Sequence, residues 1–84
     1  MKISFTDESW DDYLYWQKTD KAILKKINEL IKDVSRHPFE GIGKPEPLKF
    51  QLKGCWSRRI DHEHRLVYEY VTDEIRIISC RFHY

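Results

Sequence analysis

The chain of 84 residues lacks excess charge of either sign: fifteen lysines and arginines meet fourteen aspartates and glutamates, for a net charge of +1. That balance excludes the strongly basic surface of a protein that holds nucleic acid unaided. No apolar stretch reaches the roughly 20 residues that span a bilayer. Residues 1–7 lack the apolar core of a secretion signal. The expected location is the cytoplasm, with no membrane partner. There are only two cysteines, Cys55 and Cys80, and no C-x-x-C pair. In that compartment both thiols are expected to be free and partly buried. His62, His64 and His83, even joined by a cysteine, fit no structural zinc spacing, so no metal or other cofactor is expected. Repeats and low-complexity segments are also missing.

What is present is an ordinary globular balance rich in aromatics: three Trp, five Tyr and four Phe. Large rings help a small chain bury enough surface to fold. The length supports a single domain over residues 1–84. All three prolines and two of the three glycines fall between positions 38 and 47, marking one loop. Before it, Ile3 and Phe5 alternate in a short strand over 2–5. Thr6 caps a helix over about 7–17, with Asp7 and Glu8 in its first turn and a Phe5–Trp10 staple. Thr19 or Asp20 caps a second helix, whose apolar stripe is Ile23, Ile27, Leu30, Ile31 and Val34.

After the loop the period becomes two. Leu48, Phe50 and Leu52 alternate with lysines and Gln51, and further strands are expected over 56–61, 65–71 and 75–82, the last two joined by a Thr72-Asp73 turn. The order β-α-α-β-β-β-β predicts an α+β fold, with two helices on one face of a twisted, mainly antiparallel sheet. The opposite face is left open. Alternation in the last strand puts Ile78, Cys80 and Phe82 toward the helices, and Ile77, Ser79, Arg81 and His83 on the open face. Leu66, Tyr68 and Tyr70 should pack on the helices, leaving Arg65 open. Arg58 and Arg59 are adjacent, so only one of them can face a given ligand.

The chain ends Arg81-Phe82-His83-Tyr84 directly after an apolar run, so this end is expected inside the fold. An imidazole can give or take a proton near neutral pH. Glu46 lies between Pro45 and Pro47, which stiffen its backbone. One carboxylate, one histidine and several cations match what cleavage of RNA through its own 2′-hydroxyl requires. A base removes the 2′-OH proton, an acid protonates the departing 5′-oxygen, and fixed positive charge stabilises the phosphorane. The nucleophile belongs to the substrate, so the reaction needs no metal. The rival class is a non-catalytic module that binds protein or nucleic acid on the open face.

Four separated motifs carry a resemblance. They are Pro38-Phe39-Glu40-Gly41-Ile42-Gly43-Lys44-Pro45-Glu46-Pro47-Leu48-Lys49, Trp56-Ser57-Arg58-Arg59-Ile60, His64-Arg65-Leu66-Val67-Tyr68 and Cys80-Arg81-Phe82-His83-Tyr84. With the helix around Glu8 to Trp16, they resemble the YoeB toxins among the RelE-like, ribosome-dependent mRNA interferases of toxin–antitoxin systems. The resemblance implies a microbial-RNase fold. It makes Glu46 the general base, His83 the general acid and Arg65 the phosphate clamp. Lys49 and Arg59 would add positive charge, Tyr84 would complete the site or position the mRNA, and Glu63 would orient a neighbour. Cleavage in the ribosomal A site would leave a 2′,3′-cyclic phosphate and a 5′-hydroxyl. The implied partners are the ribosome with its mRNA and a YefM-type antitoxin. Operator DNA would be reached through the toxin–antitoxin complex, and the uncovered face permits a homodimer.

Overall fold

The computed structural model describes residues 1–82. Strand β1 is Lys2–Phe5, helix α1 is Asp7–Thr19 and helix α2 is Lys21–Arg36. After the loop come β2 (Glu46–Pro47), one turn of 3₁₀ helix (Phe50–Leu52), β3 (Cys55–Arg59), β4 (Arg65–Val71) and β5 (Glu74–Ser79). The sheet runs β1-β5-β4-β3-β2. Only the β1–β5 pairing is parallel; the other three are antiparallel. An α+β fold with both helices on one mixed sheet results, as the element order predicts.

The helix starts follow from their caps. Thr6 Oγ1 accepts the Ser9 N–H at 3.1 Å, and Asp20 Oδ1 accepts those of Ala22 and Ile23. The Phe5 and Trp10 rings meet edge to face at 5.4 Å, closing the expected staple. Ile27, Leu30, Ile31 and Val34 bury the stripe of α2 against Leu66, Tyr68, Ile75 and Ile77 of the sheet. Each such side chain contributes about 1.5–3 kcal/mol by leaving water.

Two strand assignments need correction. The alternating run 48–53 is not a strand. Pairing stops at Pro47, and Phe50 takes a positive φ of 58° and opens a 3₁₀ turn. Alternation misleads here because only Leu48 of the three apolar residues is buried, while Phe50 stands 91% exposed. In β5 the alternation also breaks. Val67 pairs with Ser79 but Tyr68 pairs with Ile77, so Ile78 is the extra residue of a β-bulge. Ile75, Ile77 and Cys80 therefore all reach the core, whereas Ile78 lines the open side. Phe82 has a φ of 64° and is 53% exposed instead of packing under the helices. The start of α1 holds the bulge in place. Ser9 Oγ donates to the Ile77 carbonyl at 2.7 Å and Thr6 Oγ1 to that of Ile78 at 3.2 Å.

Candidate active site

Glu46 reaches the site on an edge strand fastened from behind. Arg58 points to the helix-covered side of β3 and is fully buried. Its guanidinium donates to Asp33 Oδ2 at 2.5 Å and to the carbonyls of Glu40 at 2.7 Å, Ile42 at 3.1 Å and His37. Its Nε donates to the Tyr68 hydroxyl at 3.2 Å, which in turn donates to the Pro38 carbonyl at 2.7 Å. One side chain thus gathers the loop that leads to Glu46. The hydrogen bond from Arg58 holds the Asp33 carboxyl below its ordinary value, against the opposing effect of burial. Gly43 completes the attachment, with its carbonyl accepting the Arg59 N–H at 2.7 Å. A Cβ on Gly43 would lie 2.8 Å from Leu30 and 3.2 Å from the Arg59 carbonyl, at a φ of 81°. Only glycine fits that approach.

On the open face the register places the residues in rows. Glu46 pairs with Ser57, Ser57 with Val67 and Val67 with Ser79, a line across four strands. Arg59 pairs with Arg65 in the next row. Glu46 and Arg59 are therefore diagonal neighbours, about 7–8 Å apart at the backbone, and Arg65 lies one strand further. Two buried polar atoms in these rows, Arg65 Nε and Ser57 Oγ, meet no hydrogen-bond partner among the described residues. Buried polar groups are nearly always paired, so an orphaned arginine nitrogen on an open sheet face makes this face the candidate ligand site.

The segment leading to the chain end is tied down group by group. The Cys80 N–H donates to Asp12 Oδ2 at 3.1 Å, and the Cys80 carbonyl accepts the Trp16 indole N–H at 2.9 Å. The Phe82 N–H donates to His64 Nδ1 at 2.8 Å, and its carbonyl accepts the Arg65 N–H at 3.1 Å. His64 is buried, edge-on to Trp16 at 4.7 Å. Accepting at Nδ1 requires the tautomer with its proton on Nε2, which lies 3.6 Å from Glu63 Oε1. Residue 82 is thereby fixed beside the first residue of β4, next to Arg65. Burial raises the Asp12 carboxyl, with the Cys80 hydrogen bond and the Arg81 charge opposing. Burial also pushes the Cys80 thiol up to about 12, so it is an unreactive core residue. Both cysteines are free.

Two hollows line the open face. One, of about 320 Å³, is walled by Glu46, Leu48, Lys49, Phe50 and Leu52. The other, of about 490 Å³, runs past Leu52, Val67 and Ser79 to Arg81 and Asp12. Leu52 borders both. The structure brings Glu46, Lys49, Arg59 and Arg65 to this face, and Glu63 to the β3–β4 turn, where Asp61 Oδ1 accepts its N–H at 2.8 Å. His83 and Tyr84 lie outside the described residues. Among the described residues, no three or more His, Cys, Asp or Glu side chains gather as a metal site, and no helix is long and apolar enough to cross a membrane. Sequence reasoning missed the supporting residues. In the sequence Arg58 is one of two adjacent arginines, either of which could face a ligand, and His64 fits no metal spacing and has no assigned role, although one faces the loop and the other the chain end. A signal was available for Arg58, because its strand neighbours Trp56 and Ile60 are apolar.

Known proteins share the sequence pattern and the fold of this chain. The family described as YoeB-like toxin of bacterial type II toxin-antitoxin system matches residues 5–84. Toxin YoeB of Escherichia coli K12 is 67% identical over 84 residues, covering both chains completely. A heterotetrameric YoeB-YefM toxin-antitoxin complex from Staphylococcus aureus contains a chain superposing with a TM-score of 0.92 at 52% identity, covering 100% of this chain and 98% of that one. A YoeB dimer from the same organism gives 0.93 at 52% identity, with the same coverage. With its match running almost from end to end, this chain belongs to the YoeB-like toxins of bacterial type II toxin–antitoxin systems.

Proposed function

We propose that this toxin is an endoribonuclease that cuts mRNA in the ribosomal A site and so inhibits translation. The observation that carries the reading is Arg65. Its buried Nε has no partner among the described residues, and it stands on the open face with Arg59 beside it and Glu46 two strands away. A phosphate seated there would satisfy the guanidinium, and Lys49 and Arg59 would add charge as the phosphorane forms. Glu46 takes the 2′-hydroxyl proton. His83, one bond beyond the anchored Phe82, gives a proton to the 5′-oxygen. The attacking oxygen bonds to phosphorus as the 5′-oxygen leaves, producing a 2′,3′-cyclic phosphate and a 5′-hydroxyl. Tyr84 completes the site, and Glu63 orients His64 through the Nε2 side. The near-neutral overall charge suits an enzyme that borrows RNA affinity from the ribosome.

A YefM-type antitoxin, the partner present in the S. aureus complex, is the proposed inhibitor of this chain, acting by moving the chain end. The joint complex represses its own operon by binding operator DNA, and the free toxin forms a homodimer like its S. aureus relative. The deciding assay is cleavage of translated mRNA by wild type, Glu46→Gln and His83→Gln. Each substitution should slow cleavage by about 10²–10⁴ without altering the circular dichroism spectrum. Wild-type protein that cuts no translated mRNA, with or without chelator, leaves the open face as a binding surface only.

A further inference from the structure

Phe50 is 91% exposed, more than any other large apolar side chain of the described residues. It also holds a φ of 58°, a region that bulky residues seldom enter. Both features are unfavourable, and no aromatic contact within the described residues offsets them. Phe39 makes the contrast: it is 50% exposed, yet it packs against the rings of Trp56 at 5.0 Å and Tyr70 at 5.8 Å. The backbone under Phe50 is nevertheless well fixed. Leu52 N–H donates to the Lys49 carbonyl, Lys53 N–H to the Phe50 carbonyl, both at 3.1 Å, and Leu48 N–H to the Cys55 carbonyl at 2.9 Å. A rigid turn therefore presents a bare ring. Lys49 and Lys53 flank it, and the ring borders the hollow of about 320 Å³ that also contains Glu46. That volume lies at the small end of ligand sites, roughly 300–1,000 Å³.

We propose that Phe50 is a stacking platform for one nucleobase of the RNA substrate, a subsite beside the scissile step with Lys49 and Lys53 holding the adjoining phosphates. An aromatic face between cations is the usual design for single-stranded nucleic acid. Strained backbone under a side chain that packs on no ring of the described residues is where binding function concentrates. The subsite rests on the reading of the open face as an RNA-cleaving site.

Two measurements separate the subsite from that reading. The first is kcat/KM for cleavage on mRNA-programmed ribosomes by wild type, Phe50→Trp, Phe50→Leu and Phe50→Ala. Stacking predicts that Trp stays near wild type while Leu and Ala both fall on the order of tenfold or more. The second is quenching of 2-aminopurine in a short single-stranded RNA titrated with each protein, which reports ring stacking without cleavage. Quenching by wild type and Phe50→Trp but not by Phe50→Leu supports the platform even if no protein cleaves. Leu equal to wild type in both measurements overturns it. Loss of antitoxin affinity alone in Phe50→Leu also overturns it, assigning the ring to a protein contact. The side chain is solvent-exposed, so the variants should fold as wild type does.

Discussion

The two faces of β3 and β4 hold two arginines in opposite conditions. Arg58 lies under the helices with its nitrogens donating to Asp33, three loop carbonyls and Tyr68. Arg65 lies on the open face with a buried Nε that meets no partner among the described residues. The strands pair Arg58 with Leu66 and Arg59 with Arg65, so the two environments are one residue apart in register. An arginine that satisfies itself within the fold is a fastener. One that leaves a nitrogen unused is the one for which a phosphate contact is proposed. The apolar, helix-packed face makes the scaffold rigid, and the open face spends that rigidity on position.

The sharpest way to break this comparison is to remove both charges in turn. Arg65→Met should lower kcat for mRNA cleavage by about 10²–10³, the loss seen when one preorganised donor is deleted. Its urea midpoint should stay close to that of wild type, because the lost group had an unsatisfied nitrogen. A large fall in midpoint with unchanged kcat would reverse the roles.

Arg58→Met should instead lower stability by about 3–5 kcal/mol, since it strands a carboxylate and several carbonyls. The fall would be read from equilibrium urea unfolding, with activity lost in step with the folded fraction. The same pair predicts an acid window. Asp33 is lowered in the folded state, so its contribution is complete above the ordinary carboxylate value of 3.8 and disappears as pH falls through the lower folded value. Asp33→Asn should therefore flatten the stability profile below that point. An unchanged acid slope would show that Arg58 draws its stability from the carbonyls alone.

The smallest effect concerns the hinge between the faces. His64→Asn can keep an acceptor where Nδ1 stands, whereas His64→Gln cannot reach the same point. The Gln variant should lose amide exchange protection at Phe82 and fall in kcat by roughly tenfold for a sub-ångström to ångström misplacement of the chain end. The Asn variant should recover most of both, with KM unchanged in each. Equal protection and equal kcat in the two variants would reduce His64 to core packing.

Local signals were enough for much of the fold. Thr6 and Asp20 start their helices because a side-chain oxygen satisfies free N–H groups wherever such a helix begins. The α2 stripe and the strands at β3 and β4 follow from periodicity because their neighbours are apolar on one side only. The Phe50 segment was not legible, since its alternation reflects composition while the chain there turns back from β2 into its antiparallel partner β3. The β5 bulge was equally hidden. It exists because Thr6 and Ser9, some seventy positions earlier, supply hydroxyls to the carbonyls at Ile77 and Ile78.

The site divides in the same way. Glu46 between two prolines, the Arg58-Arg59 pair and Arg65 were visible as chemistry, because residue type and parity fix what a side chain can do and which side of a strand it takes. How Gly43 and Arg58 clamp the loop, and how Asp12, Trp16 and His64 hold residues 80–82, were decided by tertiary structure alone. Each depends on a hydrogen bond between groups far apart in the chain, and sequence spacing carries no record of such a distance until the fold has closed it.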